Sequence, residues 1–190
     1  MVYGGFGVGA LLLIGLVGAA LVGAVLMFNG IVGLRQLVRN AWADVDVYLK
    51  RRAELIPNLV TAVKAFASHE QALLESVASA RSLAIALDGP TSEKASAESR
   101  LGSEVTNMLV LSERYPELKS SENFSRLQNE LANTEKMIAN ARQYYNACVR
   151  DYNTKLEAFP SNMVGAMIGA KQEQFFELET AEERIAPGVG

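Results

Sequence analysis

From Met1 to Leu34 the chain carries no charged side chain, and from Arg35 onward charges crowd in: Arg39, Asp44, Asp46, Lys50, Arg51, Arg52 and Glu54. A helix needs roughly 20 apolar residues to cross a hydrocarbon core of about 30 Å. In lipid every backbone N–H and C=O must pair internally, and a helix does so within one segment. Leu11 to Phe28 has that length, so the pattern predicts a transmembrane anchor over 1–34. A cleaved signal peptide is the competing reading. It wants a basic start, a short apolar core and a small-residue cleavage site. Met1 to Phe6 hold no Lys or Arg, and the run is too long.

After Arg35 the apolar positions recur every three or four residues, the stripe of a bundle helix. Val38, Ala41, Val45, Tyr48, Leu55, Leu59, Ala62 and Phe66 form the first stripe, with Pro57 inside it predicting a kink. Ser68-His69-Glu70-Gln71 fits a capping box and starts a second helix at His69. Its apolar face is Leu73, Val77, Ala80, Ala84 and Leu87, and Asp88-Gly89-Pro90 ends it. A third helix runs over 92–114 through Leu101, Val105, Met108 and Leu109 and closes at Tyr115-Pro116. The fourth runs over 121–159, about 58 Å at 1.5 Å per residue. Short loops between helices favour up-down-up-down packing. The predicted fold is therefore all-α: an N-terminal transmembrane helix (1–34), an elongated antiparallel four-helix bundle (35–160) and an apolar-then-polar tail (161–190).

Charge sets the orientation. Arg35, Arg39, Lys50, Arg51 and Arg52 follow the span, and the positive-inside rule then places the bundle in the cytoplasm. A single cysteine, Cys148, agrees with a reducing compartment, because a disulfide framework needs pairs. With 18 basic against 21 acidic residues, the net charge of −3 points to neither nucleic acid nor an anionic surface as an electrostatic partner.

Three stretches then resemble a known family. The first runs from Trp42-Ala43-Asp44-Val45-Asp46 through Tyr48-Leu49-Lys50-Arg51-Arg52 to Ile56-Pro57-Asn58-Leu59-Val60. The second is Tyr115-Pro116-Glu117-Leu118-Lys119 with Glu122-Asn123-Phe124. The third comprises Ala141-Arg142, Tyr145-Asn146, Val149, Tyr152-Asn153 and Phe159-Pro160. Together they resemble the LemA family of bacterial membrane proteins over about Asn29 to Pro160, and the likeness weakens beyond. The resemblance implies a four-helix bundle on one span, with no established enzymatic activity, in the bacterial cytoplasmic (inner) membrane. Some members occur among magnetosome-membrane proteins, which implies membrane organisation by fold-level analogy.

Candidate chemistry is sparse. His69, the one histidine, opens a helix, and Cys148 lies on an apolar stripe, where a small buried thiol is the ordinary role. No phosphate loop follows a strand, and no Glu-x-x-His pair recurs as in di-iron bundles. No catalytic residue, metal or cofactor is expected. Arg52 falls on the first helix's core stripe and needs a carboxylate, with Glu135 or Asp151 as candidates. Asn133 and Asn140, like Asn146 and Asn153, lie seven apart on one helix face; they can fix helix register or line a ligand site. Gly15, Ala19 and Gly23 recur every four residues, either for close helix contact or because small residues are common in spans. The fourth helix runs back toward the membrane, so Met163, Val164, Met167, Ile168, Phe175 and Phe176 lie at the interface or against the bundle or a neighbouring subunit. The expected function is a self-associating membrane scaffold touching lipid and further copies of itself. The alternative is a membrane-tethered adaptor for a peptide or another membrane protein.

Overall fold

The computed structural model describes residues 4–177. Those residues hold six helices and no strand: α1 (Gly4–Lys64), α2 (Gln71–Ala86), α3 (Ser92–Ser112), α4 (Pro116–Lys119), α5 (Glu122–Glu157) and α6 (Ser161–Met167). They divide into two compact units. One combines the chain up to Arg39 with Ala147–Glu173; the other combines Asn40–Asn146 with the described residues from Gln174.

The second unit holds a shared apolar core. Ile56 and Leu59 of α1, Val77 of α2, Leu101 and Met108 of α3, Leu118 of α4, and Phe124 and Leu131 of α5 belong to one buried cluster. Within this unit the buried stripe of α1 runs through Ala41, Val45, Leu49, Arg52, Ile56, Leu59 and Val63, with Ala53 buried beside it. Six steps cover 22 residues, about 3.7 per step, close to the helical repeat. Tyr48, Leu55 and Ala62 therefore flank the buried stripe, and Phe66 is exposed. A strict seven-residue spacing drifts by about 20° per heptad on a straight helix, so the expected stripe slid off the core.

α1 continues through Pro57. Proline has no N–H for the carbonyl four residues earlier. That carbonyl, of Ala53, instead accepts a 2.7 Å hydrogen bond from Arg81 Nε on α2. Burying an unmatched C=O is costly, so the guanidinium removes the penalty and joins α2 to α1.

The expected capping box at Ser68 does not form. Ser68 is exposed and α2 begins at Gln71, after turns in which Ala67 N–H donates to Val63 O and Glu70 N–H donates to Ala67 O. Glu70 makes no side-chain cap; its carboxylate accepts from Arg114 Nη2 and Tyr115 OH, each at 3.3 Å. Gly89, with φ +77°, turns the chain after α2. Thr91 caps α3 by accepting from Lys94 N–H at 3.1 Å. The Tyr115-Pro116 break holds the short α4, with proline in its first turn, where its missing N–H costs nothing.

The first unit includes α6, a helix within the segment that the sequence pattern assigns to the tail. A Cβ added at the buried Gly165 would lie 3.0 Å from Leu156 Cδ2 and 3.9 Å from Ile31 Cδ1. The first contact is tight and would make the Leu156 side chain give by a few tenths of an ångström, and the second is ordinary packing. Ala170 N–H donates to Gly165 O and Gly169 N–H to Ala166 O, with Gly169 at φ +63°. This is a Schellman close, which satisfies the last carbonyls and needs a left-handed residue.

Candidate functional site

The second unit holds a buried charge cluster built from three helices. Arg52 of α1, 1% exposed, is among the largest fully buried side chains. Its Nη2 donates to the Glu98 carboxylate at 2.5 Å and to Glu98 O at 3.0 Å. Its Nη1 donates to both oxygens of Glu135 on α5, at 3.0 and 3.2 Å. Lys94, one turn before Glu98 on α3, pairs with Glu98 Oε1 at 3.0 Å and donates to Ala84 O at 2.7 Å. Two cations thus meet two carboxylates, the condition under which buried charge is tolerated.

Several expected members of this network lie elsewhere. Asp151, Asn133 and Asn140 are exposed, and Arg52's carboxylate partners are Glu98 and Glu135. The seven-residue spacing holds Asn133 and Asn140 to one face, but Leu131, Thr134 and Ile138 occupy the buried one. Lys94 and Glu98 were missed. A signal existed: Glu98, Leu101, Val105 and Met108 continue one stripe of three- and four-residue steps.

An open cleft of about 450 Å³ lies beside the cluster, lined by Arg52, Glu98, Ser99, Gly102, Thr106 and Gln128 among others. Arg52 Nε and Ser99 Oγ are buried and have no hydrogen-bond partner among the described residues.

The same unit holds the described residues from Gln174 onward. Phe176 is fully buried, its ring edge-on to Trp42 with centroids 5.0 Å apart. Trp42 also meets Tyr145 edge-on at 5.5 Å. Asn146 brackets the Phe176 backbone, accepting from its N–H at 2.9 Å and donating to its carbonyl at 3.2 Å. Tyr145 OH donates to Gln174 O at 2.8 Å. Phe176 therefore does not lie at an interface; the Trp42 ring and the paired amide of Asn146 hold it. Phe175, next to it, is 47% exposed.

In the first unit, Asn153 brackets Glu173 in the same way, at 3.0 and 2.9 Å, and Arg35 Nε lies 3.7 Å from the Glu173 carboxylate. Tyr152 is fully buried, its hydroxyl has no hydrogen-bond partner among the described residues, and burial pushes its phenol above the ordinary value. Met163, Met167 and Ile168 are exposed and Val164 is half-buried. Gly15 and Ala19 are exposed, and Gly23 is half-exposed with only Met27 of its own helix near.

Remaining polar residues are ordinary. Asp46 and Lys50 pair at 2.6 Å one turn apart, and this hydrogen bond holds the exposed Lys50 amine above its usual range. Arg126 donates to Asn123 at 2.8 Å. Cys148 is buried and His69 exposed. No group of three or more His, Cys, Asp or Glu side chains that could hold a metal occurs among the described residues.

The architecture defines an all-helical protein whose first helix is long and apolar enough to cross a membrane. The chain belongs to the LemA family, whose sequence profile it matches over residues 41–190. That match takes in the tail beyond Pro160 as well as the three motifs. Among curated proteins, magnetosome proteins MamQ 1 and MamQ 2 of Paramagnetospirillum magneticum are each 26% identical over 85 residues, 45% of this chain and 31% of theirs. Magnetosome protein MamQ of Magnetospirillum gryphiswaldense is 24% identical, with the same coverage. The chain thus spans less than a third of the length of these relatives. None of these names is an enzyme's.

Proposed function

We propose that the protein is a non-enzymatic, membrane-anchored helical scaffold that self-associates and serves membrane organisation. The α1 segment over Leu11–Phe28 sits in the membrane, and the antiparallel four-helix bundle expected over 35–160 lies in the cytoplasm. The observation that carries this reading is the surface of α1. Leu11, Leu12, Leu16 and Leu21 are each more than 60% exposed, an apolar face that only lipid or other protein can cover. Arg35 and Arg39 follow at once, on the side the positive-inside rule assigns to the cytoplasm. Membership of the LemA family and similarity to magnetosome proteins support a role at membranes.

A second reading, an adaptor for a peptide or another membrane protein, rests on the cleft beside Arg52. Its two buried, unmatched polar atoms would gain from a partner's acceptor and donor. Crosslinking in intact cells at native expression separates the two. The scaffold yields a ladder of this chain with itself; a single discrete adduct with a different protein instead favours the adaptor.

A further inference from the structure

We propose that α6 and the residues flanking it form a collar that rests in the headgroup layer of the membrane, beside the point where α1 leaves it. The inference builds on membrane anchoring and names the surface of the first unit that meets lipid.

The geometry starts from Ile31, which belongs to the uncharged run yet is only 1% exposed. Its Cδ1 would lie 3.9 Å from a Cβ on Gly165, so α6 packs against the end of the apolar run. Beside Asn162, the exposed side of this short helix is apolar: Met163, Ala166 and Met167. Phe159 is 79% exposed, Met163 61% and Met167 86%, with Ile168 following at 43%. Residues 163 and 167 are one turn apart, so both project from one face. The Schellman close then ends the helix after Ile168.

Charge fits the same level. Lys155 Cε would lie 3.8 Å from a Cβ on Gly30, so a long cationic side chain reaches the end of the apolar run, with Arg35 and Arg39 just beyond. A lysine stem on apolar surface with its ammonium in the headgroups is the usual snorkelling arrangement. Short apolar faces with basic neighbours lie in this layer with their side chains in the acyl boundary. Phe175 and Phe176 take no part, because the tail is held at Asn146 and Trp42.

The test uses the full chain in liposomes of zwitterionic and anionic lipid, in a Cys148→Ser background. A single cysteine at Met167 carries an environment-sensitive fluorophore, with a parallel label at Val110, which is 65% exposed in the second unit. Lipids brominated near the headgroup should quench the Met167 label several-fold more than the Val110 label. Met163→Glu should reduce that quenching while flotation with the liposomes persists. Equal quenching at the two sites overturns the collar. So does a Met167 label that brominated lipid leaves unquenched while a bifunctional thiol reagent joins Met167→Cys chains in pairs, which would make a second copy the cover. Loss of flotation from the unsubstituted protein would instead defeat the anchoring itself.

Discussion

Removing the Arg52 guanidinium tests whether the buried charge cluster holds the helices together. In Arg52→Ala, Glu98 keeps Lys94 at 3.0 Å and Glu135, with a side chain 42% exposed, turns to water. Breaking a buried pair costs about 3–5 kcal/mol when the remaining charge is stranded. Because Lys94 still compensates Glu98, the lower end applies, about 3 kcal/mol. For a chain of this size each kcal/mol lowers the melting temperature by about 2–4 °C, so a fall of about 6–12 °C is expected. The partners should rank by burial. Glu98→Gln deprives both Arg52 and Lys94 of their shared carboxylate and should cost at least as much. Glu135→Gln acts on a half-exposed pair and should cost under about 1 kcal/mol. Thermal denaturation of the full chain in mild detergent, followed by circular dichroism, reads all three. A shift under 2 °C for Arg52→Ala, or the largest effect at Glu135, would refute the reasoning.

Other variants probe separate contacts. Phe176→Ala should cost about 3–5 kcal/mol, as for other buried aromatics, and should shift the emission of Trp42, the one tryptophan; unchanged emission would place the tail elsewhere in solution. Arg81→Met should destabilise by about 1–3 kcal/mol by stranding the Ala53 carbonyl, and pairing it with Pro57→Ala, which restores the helical N–H, should recover most of the loss in a double-mutant cycle. Tyr152→Phe should leave stability at neutral pH unchanged or raised, since the buried hydroxyl has no partner among the described residues. Unfolded tyrosine ionises near pH 10 and folded Tyr152 above it, so stability is full below about pH 10 and falls as pH rises from there. That alkaline loss should shrink in Tyr152→Phe, and an identical alkaline profile would count against it.

The helices were legible because their causes are local. The uncharged run, the three-and-four spacing and the Gly-Pro punctuation mark α1, α2, α3 and α5 to within a few residues. Arg52 stood out because a charge on an apolar stripe has few places to go. What escaped depends on facing. Asn133 and Asn140 share a face with each other, but spacing alone cannot say that this face meets solvent. Asn146 and Asn153 share a spacing too, yet each hydrogen-bonds a tail backbone some twenty to thirty residues away. Phe176 sits in a segment with no period, so its burial against Trp42 is a tertiary fact that periodicity cannot carry. Glu98 lies one turn before Leu101 on the same α3 stripe, so its burial follows from the helical repeat.

The central claim, a self-associating membrane scaffold, is tested most directly by the native mass of the full chain. Size-exclusion chromatography with light scattering, corrected for bound detergent, should give a protein mass several times the 20.5 kDa of one chain, stable on dilution. A protein mass of one chain across the concentration range would contradict the scaffold account.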